Sequence, residues 1–187
     1  MGKGKVFVVM VGICAVVVLS GCAWRRAMAQ RTGAAKAAAE AKAAKAGVEA
    51  ASVRIVLDSS DTQGVEKVGE WPDGLGGNDW GSGCLFAFKG KGECKFVWRP
   101  DLPKAGRYRV SVWFGGDPNS DHATDSPFTV FNDEGKETFK IDQTKSSDGW
   151  KALGVFPFRA GKSGYVELTN NANGNVVADA VQFELVK

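Results

Sequence analysis

Residues 53–187 predict an all-β fold: a single antiparallel β-sandwich, jelly-roll-like, built from about nine or ten short strands. Three observations lead there. Apolar residues recur at every second position, the repeat of a strand with one buried face. Clusters of Gly, Asn, Asp and Pro break these runs at short intervals, as turns do. The roughly 135 residues involved are enough for one core with two inner faces, so no second domain is expected.

The strands follow in order. Val53–Leu57 opens the domain. Cys84–Phe88 and Cys94–Trp98 are two apolar runs separated by Lys89, Gly90, Lys91 and Gly92, which reads as a hairpin turn. Arg107–Phe114 alternates cleanly: Tyr108, Val110, Val112 and Phe114 point one way, and Arg107, Arg109, Ser111 and Trp113 the other. Pro127–Phe131, Thr138–Ile141, Trp150–Phe158, Tyr165–Thr169 and Val176–Leu185 complete the set. Turns are expected at Lys104–Gly106, Asp133–Gly135, Ala160–Gly164 and Asn173–Gly174.

The N-terminus has a different character. Lys3 and Lys5 precede an uncharged run from Val6 to Leu19, too short for the roughly 20 residues of a membrane span. Residues 1–21 therefore read as an export signal. The run ends in Leu19, Ser20, Gly21 and Cys22, a pattern that resembles the bacterial lipobox. The Cys22 thiol would be lipidated, which ties the chain to a bilayer. Ala23 follows it, and the absence of Asp there favours the outer membrane. Residues 22–52 are expected to form an Ala/Lys-rich tether. From Ala34 to Ala51 alanine alternates with Lys36, Glu40, Lys42, Lys45 and Glu49, a composition of high helix propensity without large apolar residues for a coiled-coil seam.

Charge divides along the same boundary. Residues 1–53 hold eight Lys/Arg and two Asp/Glu, a net of +6, and residues 54–187 hold 16 and 19, a net of −3. A mildly acidic folded domain argues against nucleic acid as a partner. Arg25, Arg26 and Arg31 lie close to the lipid, where they can approach anionic headgroups. Of the four cysteines, Cys14 leaves with the signal and Cys22 carries lipid. Cys84 and Cys94 remain as an even pair in an oxidising compartment, and the hairpin reading makes them a cross-strand disulfide. The alternatives are two buried thiols or, with less support, part of a zinc site.

The stretch Trp98–Trp113 carries Trp, Pro, Leu, Pro, Ala, Gly, Tyr, Val, Val and Trp at spacings that resemble the golvesin and xanthan lyase C-terminal domain family. The likeness continues through Pro127–Val130, Trp150–Gly154, Phe158–Gly161 and the closing Val176–Phe183, with Leu57, Asp58 and Gly69–Trp71 at its start. It covers nearly all of residues 54–187. The resemblance implies a fold like that of carbohydrate-binding sandwiches and a binding or adhesive role without catalysis. Carbohydrate-binding sandwiches often hold a structural Ca²⁺ between first and last strands, so Asp58 and Asp179 are expected to meet at that edge. Asp179 interrupts an apolar strand and needs a partner there: a hydrogen bond, a counter-charge or the ion.

Sugar sites place flat aromatic rings against pyranose faces and surround them with amides, carboxylates and guanidinium groups. Trp113 lies on the polar face of its strand with Arg109, and Trp80 lies in a loop beside Asn78 and Asp79. These five residues are the ligand-binding candidates. Trp71, Trp98 and Trp150 are expected to cap the core at strand ends. The single His122, in the acidic loop Asp117–Asp125, lacks the partners of a catalytic triad and reads as a solvated loop residue. No paired carboxylates are arranged for glycoside cleavage, so an enzyme is not expected. The expected function is a membrane-anchored, non-catalytic binding lipoprotein that engages polysaccharide or cell-wall glycan. The alternative is a structural or adhesion lipoprotein that docks another envelope or secreted protein, as by a sheet edge.

Overall fold

The computed structural model describes residues 53–187 apart from 75–76, 117–120, 146 and 148. The signal at 1–21, the lipidated Cys22, the tether at 22–52 and part of the Asp117–Asp125 loop lie outside the described residues.

Eleven strands follow one another in the described residues: β1 (Arg54–Asp58), β2 (Val65–Val68), β3 (Leu85–Ala87), β4 (Lys95–Trp98), β5 (Gly106–Trp113), β6 (Ser126–Asn132), β7 (Gly135–Ile141), β8 (Lys151–Phe158), β9 (Tyr165–Thr169), β10 (Val176–Ala178) and β11 (Ala180–Leu185). One sheet has the order β1-β11-β5-β8, a second β2-β4-β9-β6-β7, and β10 pairs with β3 in a short ribbon. Every strand pairing is antiparallel, as expected for a sandwich.

Strand alternation fills the core. Tyr108, Val110 and Val112 of β5 and Val181 and Phe183 of β11 come from the four-stranded sheet. Phe96 and Trp98 of β4, Phe128 and Val130 of β6, and Val166 and Leu168 of β9 come from the five-stranded one. All eleven are at most 2% exposed and belong to one connected cluster. Aromatic edge-to-face contacts tie them together, among them Tyr108 with Phe158 and Phe158 with Phe183. Trp98, expected at the rim, is fully buried in the middle.

Two features of the strand reading are corrected. β2 was not anticipated: Val-Glu-Lys-Val has no apolar face, and it forms an edge strand with three of its four residues exposed. The hairpin between Cys84–Phe88 and Cys94–Trp98 does not form. β3 pairs with β10, whereas β4 pairs with β2 and β9. The Lys89–Glu93 connection therefore crosses between sheets, and Asn170 clamps it. Its Oδ1 accepts the Gly92 and Cys94 N–H groups, and its Nδ2 donates to the Phe88 carbonyl. With no ladder between their strands, Cys84 and Cys94 are not joined, and the expected disulfide is absent. Cys84 is buried and Cys94 half-buried, so the alternative of two buried thiols fits only the first.

Gln143 is a second clamp, invisible to any apolar pattern. It is fully buried. Its Oε1 accepts from the Val177 N–H and the Ser126 hydroxyl, and its Nε2 donates to the Val177 carbonyl. This side chain substitutes for a strand along one edge of β10. Gln143→Leu would leave three buried polar groups unpaired, and each costs about 1–3 kcal/mol. The expected outcome is a loss of about 3 kcal/mol or more, read as a lower denaturation midpoint at unchanged slope.

Candidate functional site

The closing run Val176–Leu185 reads as one strand but serves two sheets. It pairs with β3 as β10, passes Asp179, and then pairs with β1 and β5 as β11. At the switch, Asp179 leaves both ladders. Its carbonyl accepts the Trp98 indole N–H at 3.3 Å, and its carboxylate accepts the Trp80 backbone N–H at 3.1 and 3.2 Å. The charged-looking interruption in the strand is thus the post on which the loop carrying Trp80 is hung.

The loop is drawn in tightly around this post. Gly81 has a positive φ of 65°, and a Cβ there would lie 2.7 Å from the Asp58 carboxylate. Gly115, just past β5, would bring a Cβ equally close to Asp79 Oδ1. That oxygen is buried and has no hydrogen-bond partner. Asp58 stands opposite Ala180 in the β1–β11 ladder and uses Oδ1 to accept from the Ser60 N–H and hydroxyl, which shapes the turn after β1. Burial pushes the Asp179 carboxyl up to about 8; the nearby charges of Asp79 and Asp58 add to the rise, and the Trp80 N–H partly offsets it. Asp58 and Asp179 are neighbours at the β1–β11 edge. Each is engaged with the backbone of a loop, and no group of three or more His, Cys, Asp or Glu among the described residues is arranged to hold a metal.

Three tryptophans meet at this corner. Trp80 lies 5.3 Å from Trp113 and 4.7 Å from Trp150, and Trp113 lies 5.7 Å from Trp150, ring centre to ring centre. Their planes cross at 65°, 54° and 70°, so the rings form an angled corner instead of a stack. All three are half-buried. The Trp113 indole N–H donates to the Asn78 carbonyl at 2.7 Å, which fastens the loop to β5. Arg54 of β1 lies over Trp150 at 5.9 Å, and its Nε donates to Gln182 Oε1.

The sequence-derived candidates therefore divide. Trp80, Trp113, Asn78 and Asp79 come together, Asn78 through its backbone carbonyl and Asp79 as a tucked-in carboxylate. Arg109 does not join them. It is four residues from Trp113 along β5, about 13 Å at strand rise, and is ion-paired to Glu184 at 3.1 Å. Trp150 is a correction: it does not cap the core but is the third wall of the corner. It immediately precedes β8, and the β5–β8 register sets Lys151 beside Val112, one residue from Trp113. Arg54 was missed because a lone charge at a strand start carries no signal.

A second aromatic group offers a contrast. On the outside of the five-stranded sheet, Tyr165 stacks on Phe131 at 4.3 Å and 14°, with Arg99 over the Tyr165 ring and Lys136 over the Phe131 ring. Its ring faces are taken up by the stack and its cations. The angled tryptophan corner is the arrangement that can receive a flat apolar ligand face with polar groups at its rim.

A sandwich of this arrangement has the fold of carbohydrate-binding modules. It superposes on a family 35 carbohydrate-binding module from an environmental isolate with a TM-score of 0.51, at 16% identity, over 69% of this chain and 91% of that one. The chain belongs to the Golvesin C-terminal domain family, whose profile matches residues 55–185. It is also 31% identical over 138 residues to xanthan lyase from Bacillus sp. strain GL1, across 71% of this chain and 15% of that protein. The structure of Paenibacillus xanthan lyase aligns with a TM-score of 0.67 at 30% identity, over 72% of this chain and 13% of the lyase. The chain thus spans a small fraction of these enzymes.

Proposed function

We propose that this chain is a non-catalytic glycan-binding lipoprotein, held in the cell envelope by lipidated Cys22 and engaging polysaccharide or cell-wall glycan at the Trp80–Trp113–Trp150 corner. The observation that carries the reading is the corner itself: three half-buried indoles at steep angles, with the loop that carries Trp80 fastened by Asp179 and by the Trp113 indole N–H. Such rigidity lowers the ordering cost of binding. Beside the rings Asp179 holds the Trp80 backbone, and Asp58 holds the turn after β1, which suits a positioning role. Family membership and the carbohydrate-binding-module fold support the ligand class, though fold alone does not set function.

Anchoring at Cys22, with the outer membrane as its place, follows from the lipobox-like Leu19–Cys22 and Ala23. The reading requires no metal. A Ca²⁺ ion on Asp58 and Asp179 would share carboxylates that also accept the Trp80 and Ser60 N–H groups. A glycan array probed with the chain tests the proposal. Binding to at least one polysaccharide class is expected, with the signal lost in Trp80→Ala and in Trp113→Ala. A blank array together with a co-purifying envelope protein would favour the docking alternative instead.

A further inference from the structure

The loop that carries Trp80 has a second side. Beyond Gly81, Ser82 and Gly83 line a cavity of about 550 Å³ between the β1–β2 connection, β2 and the start of β3, with no tryptophan in its lining. That volume falls within the roughly 300–1,000 Å³ range of small-molecule sites. Its walls are fixed. On one side, Asp58 Oδ1 holds Ser60, and Asp61 Oδ2 accepts the Asp58 N–H. On the other, Gly74 N–H donates to the Cys84 carbonyl and Phe86 N–H to the Pro72 carbonyl.

The lining is rich in hydroxyls: Ser59, Thr62 and Ser82 face it with Asp61, Asp73 and Lys67. Ser59 is 2% exposed overall and lines the cavity. Lys67 is exposed and belongs to none of the ion pairs found among the described residues. The cavity therefore offers one donor cation, two acceptor carboxylates and several groups that do both, with no aromatic wall.

We infer that this cavity is a second binding site, for an uncharged polyhydroxylated ligand of the size of a sugar residue, separate from the tryptophan corner. Carboxylates accept ligand hydroxyls in charge-assisted bonds, Lys67 donates to ligand oxygens, and the serine and threonine hydroxyls can do either. Two carboxylates against one ammonium disfavour an anionic ligand. The choice of a sugar residue rests on the glycan-binding reading; the existence of the site does not.

The test is a titration of the full chain with glucose, mannose and glucuronate, followed by amide and indole NMR resonances. Saturable shifts at Ser59, Thr62 and Ser82 with a neutral sugar are expected, and weaker ones with glucuronate. Thr62→Trp, which fills the cavity, and Lys67→Ala, at an exposed position that folding does not need, should each weaken the pocket response by about tenfold, or 1.4 kcal/mol. If Thr62→Trp unfolds, Lys67→Ala decides. Shifts confined to the three indoles would overturn the second site and leave the tryptophan proposal standing. Pocket shifts with unchanged indoles would support the second site and count against the corner. Pocket shifts untouched by either variant, or no shifts at all, would overturn it.

Discussion

Asp179→Asn is expected to flatten the pH dependence of stability and to make the domain more stable than the parent in mild alkali. The parent carboxyl keeps its proton to about pH 8 in the folded chain, against an ordinary value of 3.8. Between those two values the folded state binds a proton that the unfolded state does not. Its contribution is therefore fully present below about pH 4, declines as pH rises toward 8, and levels off above that. The span corresponds to a loss on the order of 5 kcal/mol. Asparagine keeps an oxygen to accept the Trp80 N–H and has no charge to bury. At pH 4 the two proteins should be equally stable to within about 1 kcal/mol; at pH 9 the variant should exceed the parent by several. Denaturant unfolding across this range checks it. A variant less stable than the parent at pH 9, with a parent melting point that falls on adding chelator, would show instead a charged carboxylate held by a cation.

Trp98→Ala is expected to cost about 3–5 kcal/mol, the usual range for a large aromatic removed from a core. Trp98 has no exposed surface, touches Phe96 at 4.6 Å and Phe128 at 6.2 Å, and gives its indole N–H to the Asp179 carbonyl. Its loss opens a cavity and leaves that carbonyl unpaired at the point where the closing run changes sheets. Trp98→Phe should recover most of the packing but not the hydrogen bond, which places it between the two. Equal stability of Trp98→Phe and the parent would mean the bond to Asp179 contributes nothing.

The alternation in β5 was readable because one face meets a core and the other meets water. The same logic located β6, β8, β9 and the closing run. It failed where pairing partners, not burial, decide the structure. Cys84–Phe88 and Cys94–Trp98 look like a hairpin because two apolar runs flank a glycine-rich turn. What sends them to different sheets is Asn170, from 76 residues away in the case of Cys94. Strand β2 was unreadable because an edge strand needs no apolar face.

At the site, Trp80 and Trp113 were legible as tryptophans in polar surroundings, and Asp179 as a charge within an apolar strand. Trp150 was not. Its neighbours Lys151 to Phe158 form a strand that does enter the core, and the register of β8 on β5 sets the residue just before that strand beside Trp113. Arg109 fails in the opposite way: it shares a strand face with Trp113, but strand rise separates them and Glu184 occupies it.

The most direct test of the account is the affinity of the chain for the glycan its array identifies, measured by titration for the parent, Trp113→Ala and Arg109→Ala. If the tryptophan corner binds the glycan, Trp113→Ala weakens binding by about 30-fold or more, as for a buried aromatic anchor, while Arg109→Ala changes it less than about threefold. Unchanged affinity in a folded Trp113→Ala chain would contradict the assignment of the corner as the glycan site.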